Sequence, residues 1–112
     1  DITSVTNKFA QENPEMVRTF IEVNQEYNTK FAAGKSDMAA IAKDAGMTVE
    51  KTKNQMAGFG FPTVSEQKSQ YFNKSGKIIK LLNYMGKMFA TAENPALKDY
   101  SKVIDTSFLE SL

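Results

Sequence analysis

From Val17 to Phe31, apolar side chains return every three or four residues: Val17, Phe20, Ile21, Tyr27 and Phe31, with Asn24 interrupting the stripe. From Ile78 to Phe89 they do so again, as Ile78, Ile79, Leu81, Leu82, Met85, Met88 and Phe89. A period of 3.6 sustained this long belongs to an amphipathic helix, because a strand turns its side chains over with period two. Two long helices therefore dictate a mainly α chain, and the shorter segments have to serve them. The expected core is Phe20, Ile21, Phe31, Ile78, Leu82, Met85 and Phe89.

The punctuation between the stripes divides the rest. Asn13-Pro14-Glu15 reads as a helix start, with proline at the first position and an acid next, and Gly34 stops that helix after Ala33. Ser36 is placed to cap a short helix whose apolar face is Met38, Ile41, Ala42 and Ala45, and Gly46 ends it. Thr48 caps a second, with Lys51 where a capping box would put Glu or Gln. Gly58 and Gly60 then free the backbone around Phe59, and Phe61-Pro62 leads away extended. Ser65 is expected to cap a short helix through Tyr71, and Asn73 to Gly76 is a turn. The second long helix runs from Lys77 to near Ala92, and Gly86 within it implies close approach of a neighbouring helix. Glu93-Asn94-Pro95 repeats the earlier cap and predicts a helix from Pro95 to Tyr100; the last apolar segment turns helical from Asp105 onward. Ile2 to Thr6 is β-branched with rough alternation, the pattern of a strand. The reading is about six helices with a possible N-terminal strand.

Composition narrows the chemistry. A chain of 112 residues is one domain's length, and a net charge of +1 gives no general attraction to nucleic acid or anionic lipid. Without Cys or His there is no disulfide, no thiolate metal site and no histidine base, so neither catalytic residues nor metal ligands nor cofactors are assigned. Lys35-Ser36 and Lys74-Ser75 are adjacent in sequence and do not face each other as a Ser-Lys dyad must. No Asp/Glu spacing suggests a calcium loop, and Gly58 and Gly60 lack the rest of a phosphate-binding fingerprint. No apolar run approaches the ~18 residues of a membrane span. The start at Asp1, without Met or a visible signal peptide, reads as a processed chain or a piece of a longer one.

Residues 36–58 admit a helix-turn-helix that reads DNA. Ala42 precedes Gly46 by four, as the repressor motif requires, and Lys51, Lys53 and Asn54 would be the reading side chains. Against this, Thr52 and Gln55 stand where the motif buries Val, Ile or Leu, and no Arg is offered to guanine. No nucleic-acid partner is expected.

The passage ITSVTNKFAQENPE, Ile2 to Glu15, resembles the strand-then-helix passage late in periplasmic substrate-binding proteins of taurine, alkanesulfonate and nitrate ABC transporters. The charged residue is Lys8, followed by Phe9-Ala10, Gln11-Glu12 and Asn13-Pro14-Glu15. The long helix, the hairpin ending near Gly58, the Phe61-Pro62-Thr63 loop and Asp99-Tyr100-Ser101-Lys102-Val103 fall in the family's order. The resemblance is nearest to the taurine-binding type, where Phe61 stands in place of an expected Tyr. It implies that the chain is a single C-terminal segment of a two-lobed α/β periplasmic protein of type 2. That parent would capture a small anionic or zwitterionic solute for a permease, with Phe59, Phe61 and Thr63 as the chain's ligand-binding residues. It also implies that the rest of the parent, the permease and the solute are the partners.

Overall fold

A computed structural model describes residues 2–112. Among these described residues, seven α-helical segments are joined by loops, one π-helical turn and one 3₁₀ turn. Helix α1 spans Asn7–Glu12 and α2 spans Pro14–Ala32; α3 (Met38–Asp44) and α4 (Val49–Met56) form a hairpin. Next come α5 (Val64–Glu66), continued by the π turn Gln67–Tyr71, and α6 (Lys77–Met88). The 3₁₀ turn Tyr100–Val103 and α7 (Ser107–Glu110) close the chain. The mainly α expectation holds, and no strand occurs among the described residues.

Both long helices form where the periodicity puts them. Pro14 opens α2 with Glu15 in its first turn and Lys30 in its last, each on the side the helix dipole favours. Its end is a Schellman motif: Gly34 takes φ +69°, its amide donates to Phe31 O at 2.9 Å, and Lys35 N donates to Lys30 O at 2.8 Å. The same device ends α3, with Gly46 at φ +65°, Gly46 N on Lys43 O and Met47 N on Ala42 O.

Several local expectations are corrected. Ile2 to Thr6 is not a strand: it has no partner, and Thr6 instead caps α1, its hydroxyl accepting from Phe9 N at 3.2 Å. Lys8 accordingly lies in a helix. Asn13 does not cap α2 with its side chain, which donates back to Phe9 O at the end of α1. Asp37, not Ser36, caps α3 through Ala40 N at 3.0 Å, and Thr63, not Ser65, caps α5. The repeated Glu93-Asn94-Pro95 starts no helix; the one large aliphatic side chain after it, Leu97, is exposed, so little packing offsets the cost of nucleation. Helix α6 ends at Met88, short of Ala92.

Gly86 does mark a close approach, but the neighbour is an aromatic ring of the 3₁₀ turn. Tyr100 lies across it so tightly that a Cβ there would overlap Oη, Cζ and Cε2 of the ring. The phenol oxygen accepts from Leu97 N at 3.3 Å, which holds the ring against the loop that leads into the turn.

The core expectation fails most clearly. Phe20, Met85 and Phe89 are exposed, and Ile21, Phe31, Ile78 and Leu82 are only half-buried. Among the described residues the buried apolar side chains are Ala42, Ile79 and Leu109. Helices α1 and α7 pack on α2, while α6 packs on the π turn and the 3₁₀ turn. The result is an open array, 46 × 32 × 25 Å, with a radius of gyration of 16.8 Å. A folded domain of this length has about 13 Å.

Candidate functional site

The loop from Gly58 to Thr63, which carries Phe59, Phe61 and Thr63, starts where α4 runs out. Gly58 N and Phe59 N donate to Gln55 O and Met56 O, each at 3.1 Å. Phe61 then turns inward, its ring meeting Phe31 of α2 edge-on at 4.6 Å between centroids and 67° between planes. Such a pair contributes about 0.5–1.5 kcal/mol beyond the area it buries. Phe59 remains outside, 60% exposed, with its ring 6.3 Å from that of Phe61.

Polar side chains of α2 fasten the rest of the loop. Asn28 Nδ2 donates to Pro62 O at 3.0 Å, where Gln67 Nε2 donates as well, and Gln25 Oε1 accepts from Val64 N at 2.5 Å. Thr63 and Glu66 form a full capping box: Thr63 Oγ1 accepts from Glu66 N at 3.3 Å, and Glu66 Oε2 accepts from Thr63 N at 2.8 Å and from Thr63 Oγ1 at 3.1 Å. The Thr63 hydroxyl is thus spent on the helix start. Among the described residues the amides of Gly60 and Phe61 donate to nothing. The loop offers an incoming molecule two aromatic rings and two backbone donors, with no charge.

Gln25 and Asn28 escape a reading by periodicity, which singles out Asn24. Their signal was present: both fall one turn apart on the face shared with Ile21 and Phe31, and a polar side chain there needs a partner. Asn24 is exposed and donates to Phe20 O at 2.8 Å.

The hairpin α3–α4 has the tightest packing in the chain. Thr52 of α4 is 1% exposed and Ala42 of α3 is also buried, and the two helices pack on each other. Its hydroxyl donates to Thr48 O at 2.9 Å, so a polar residue fills an apolar position without an unpaired group. Lys51, Lys53 and Asn54 are all exposed.

Two open clefts lie elsewhere. One of about 240 Å³ sits where α1 meets α2, between Ala10, Pro14 and Phe108; the other, about 380 Å³, lies between Lys68, Phe72 and Leu109. Neither includes Phe59, Phe61 or Thr63. Arg18, the sole Arg, is part-exposed on α2 with Nε 3.8 Å from Glu15 Oε2. Hydrogen bonds from Ser101 hold Asp99 below the usual carboxylate range, and those from Ser107 do the same for Asp105. The hydrogen bond to Glu26, at 2.6 Å, raises the Lys30 ammonium above its ordinary value. Among the described residues no group of Asp and Glu could hold a metal ion, and no helix is long and apolar enough to cross a membrane.

Comparison of the chain with protein-family models, curated proteins and solved structures finds no match.

Proposed function

We propose that this chain is a helical part of a solute-capturing protein, the substrate-binding component of an ABC transporter working in the periplasm. More particularly, the solute is taurine or a related sulfonate, and the chain is the C-terminal segment of a two-lobed α/β parent of type 2. The order of sequence motifs from Lys8 to Val103 supports the reading.

The observation that carries it is the surface of α6. Leu81, Tyr84, Met85 and Met88 are exposed on a helix whose other faces hold Ile78, Ile79 and Leu82, leaving only Lys77, Lys80 and Lys87 as charged positions. Its polar face is the narrow arc of Lys80, Asn83 and Lys87, and an apolar arc as broad as the remainder, bare over part of its width, is a surface for another body to cover. The remaining lobe of the parent is the body that would cover it.

In this reading the anchored loop stands at the cleft mouth. Phe59 and Phe61 contact the solute's carbon skeleton, the Gly60 and Phe61 amides face it, and Thr63 holds the loop in place. A sulfonate needs several convergent donors, commonly Arg or helix N-termini. One part-exposed Arg18 beside Glu15 is too few, so the main donors belong to the rest of the parent. Solute binding closes the lobes, and the permease senses the hinge change. Titration calorimetry tests this. The full parent should bind taurine, another sulfonate or nitrate tightly, and the isolated chain should give no heat. A parent that binds no sulfonate, amino acid or oxyanion refutes the transport reading; tight binding by the chain alone refutes the placement of the donors.

A further inference from the structure

The charge of the chain is not spread evenly. From Gln67 to Ala92 there are Lys68, Lys74, Lys77, Lys80 and Lys87 and no acid, so every Asp and Glu lies elsewhere. The whole-chain charge of +1 therefore conceals a basic stretch set in an acidic remainder. Within that stretch, Lys68 donates to Leu112 O, and Lys77 donates to Gln70 Oε1 with its ammonium 5.0 Å from the centre of the Tyr71 ring. Lys80 and Lys87 do neither. Both are exposed, and among the described residues no carboxylate pairs with either ammonium group.

These two lysines are seven residues apart, or two turns, so they stand on one edge of α6 about 10.5 Å from each other along its axis. Tyr84 lies between them and opens the bare arc that continues through Leu81, Met85 and Met88. The opposite edge has no charge. It consists of Ile78 and Leu82, both half-buried, with Gly86 beneath the Tyr100 ring behind them. The bare arc is thus bordered by positive charge on one side only.

We infer that the surface covering α6 is protein, apolar at its centre and acidic along the one edge that meets Lys80 and Lys87. The inference rests on the transport reading for the source of that surface, the remaining lobe of the parent, and supplies its chemistry. Closing an uncharged surface over this edge would strip water from two ammonium groups and return nothing, whereas a carboxylate opposite each restores a charge-assisted hydrogen bond. A lipid surface is the other anionic cover. A helix lying in one places lysines on both borders of its apolar arc, where their stems reach up to the headgroups. Helix α6 has them on one border, and its other border is taken up by its own chain.

Two synthetic amphipathic helices test this on the full chain. Both have one leucine face; along one edge of it the first carries Glu at every seventh position and the second carries Lys. The Glu peptide should bind more tightly, on the order of tenfold at low salt. It should shift the amide resonances of Leu81 to Met88 and lose its advantage as salt rises. Lys80→Gln with Lys87→Gln should abolish the preference and leave helical circular dichroism unchanged, because both side chains are exposed. Lys51→Gln with Lys53→Gln on α4 should leave the preference intact. Equal affinity, a preference that survives the α6 substitutions, or binding to neither peptide would overturn the inference. So would phosphatidylglycerol vesicles that take up the chain through Leu81 and Tyr84, which would assign the arc to a membrane. Calorimetry on the parent is separate: a parent that binds no solute, beside a chain that keeps its preference, refutes the transport reading and leaves the acidic-edged cover standing.

Discussion

Replacing Gly86 by Ala should destabilise the chain, although it removes a glycine from a helix interior. On propensity alone the change stabilises α6 by about 1 kcal/mol. In the structure, however, a Cβ at position 86 overlaps three atoms of the Tyr100 ring, so the ring must leave its seat. Tyr100 is half-buried; a tyrosine buries ~150–250 Å² when fully covered, so at about 25 cal/mol per Å² undocking costs on the order of 2 kcal/mol. The net expectation for Gly86→Ala is a loss of about 1 kcal/mol. In a Tyr100→Ala background there is nothing to displace, and the same change should stabilise by about 1 kcal/mol. The sign reversal corresponds to a coupling of about 2 kcal/mol, large enough for a double-mutant cycle. Urea denaturation of the four proteins, followed at the helical circular-dichroism band, measures it. Gly86→Ala stabilising by the same amount in both backgrounds would refute the reasoning, because the ring would then not be seated on the glycine.

Other expectations follow from single contacts. Gly46→Ala should cost about 1 kcal/mol from its own backbone alone, since its φ is +65° and no other residue lies within 4 Å of a Cβ there; Gly46→Asn should recover part of it in the same denaturation assay. Gln25→Ala should speed hydrogen exchange at the Val64 amide by roughly fivefold, the equivalent of one net hydrogen bond of about 1 kcal/mol, and leave exchange within α6 unchanged. Asp105 is held below its ordinary pKa by Ser107, so its contribution to the start of α7 is complete above the unfolded value of about 3.9 and is lost as pH falls through the lower folded value. Nuclear magnetic resonance of the Ser107 amide over that range should show this in the native chain and not in Asp105→Ala. A gel-shift titration of duplex DNA should show no sequence-specific complex, given the net charge of +1 and the absence of Arg from α4.

What could be read in advance divides along a physical line. The bodies of α2 and α6, the turn at Gly46 and the Thr48 cap depend on residues a few positions apart, and their signals are local. The strand expected at Ile2 to Thr6 came from β-branched residues whose propensity needs a partner strand to act, and Thr6 found a local use as a cap. The helix expected after Pro95 had a sound start signal, but its Leu97 stays exposed and Tyr100 docks on Gly86 from a 3₁₀ turn. Periodicity named Phe20, Met85 and Phe89 as core because it reports which face of a helix is apolar, not whether anything covers that face. At the loop, Phe61, Pro62 and Thr63 were visible as a unit. Their anchors Gln25 and Asn28 lie more than thirty residues away along the chain, and no local pattern links them to it. The Thr63 hydroxyl, marked for ligand, is engaged by Glu66.

Among the described residues these helices bury only Ala42, Ile79 and Leu109 as apolar side chains, and the proposed function makes them a layer of a larger body. Binding of an apolar dye to the chain, alongside its thermal unfolding, tests this most directly. Strong dye fluorescence is expected, because the α6 surface with Leu81, Tyr84 and Met88 is bare. An isolated chain that binds no dye and unfolds in one sharp cooperative transition would contradict it.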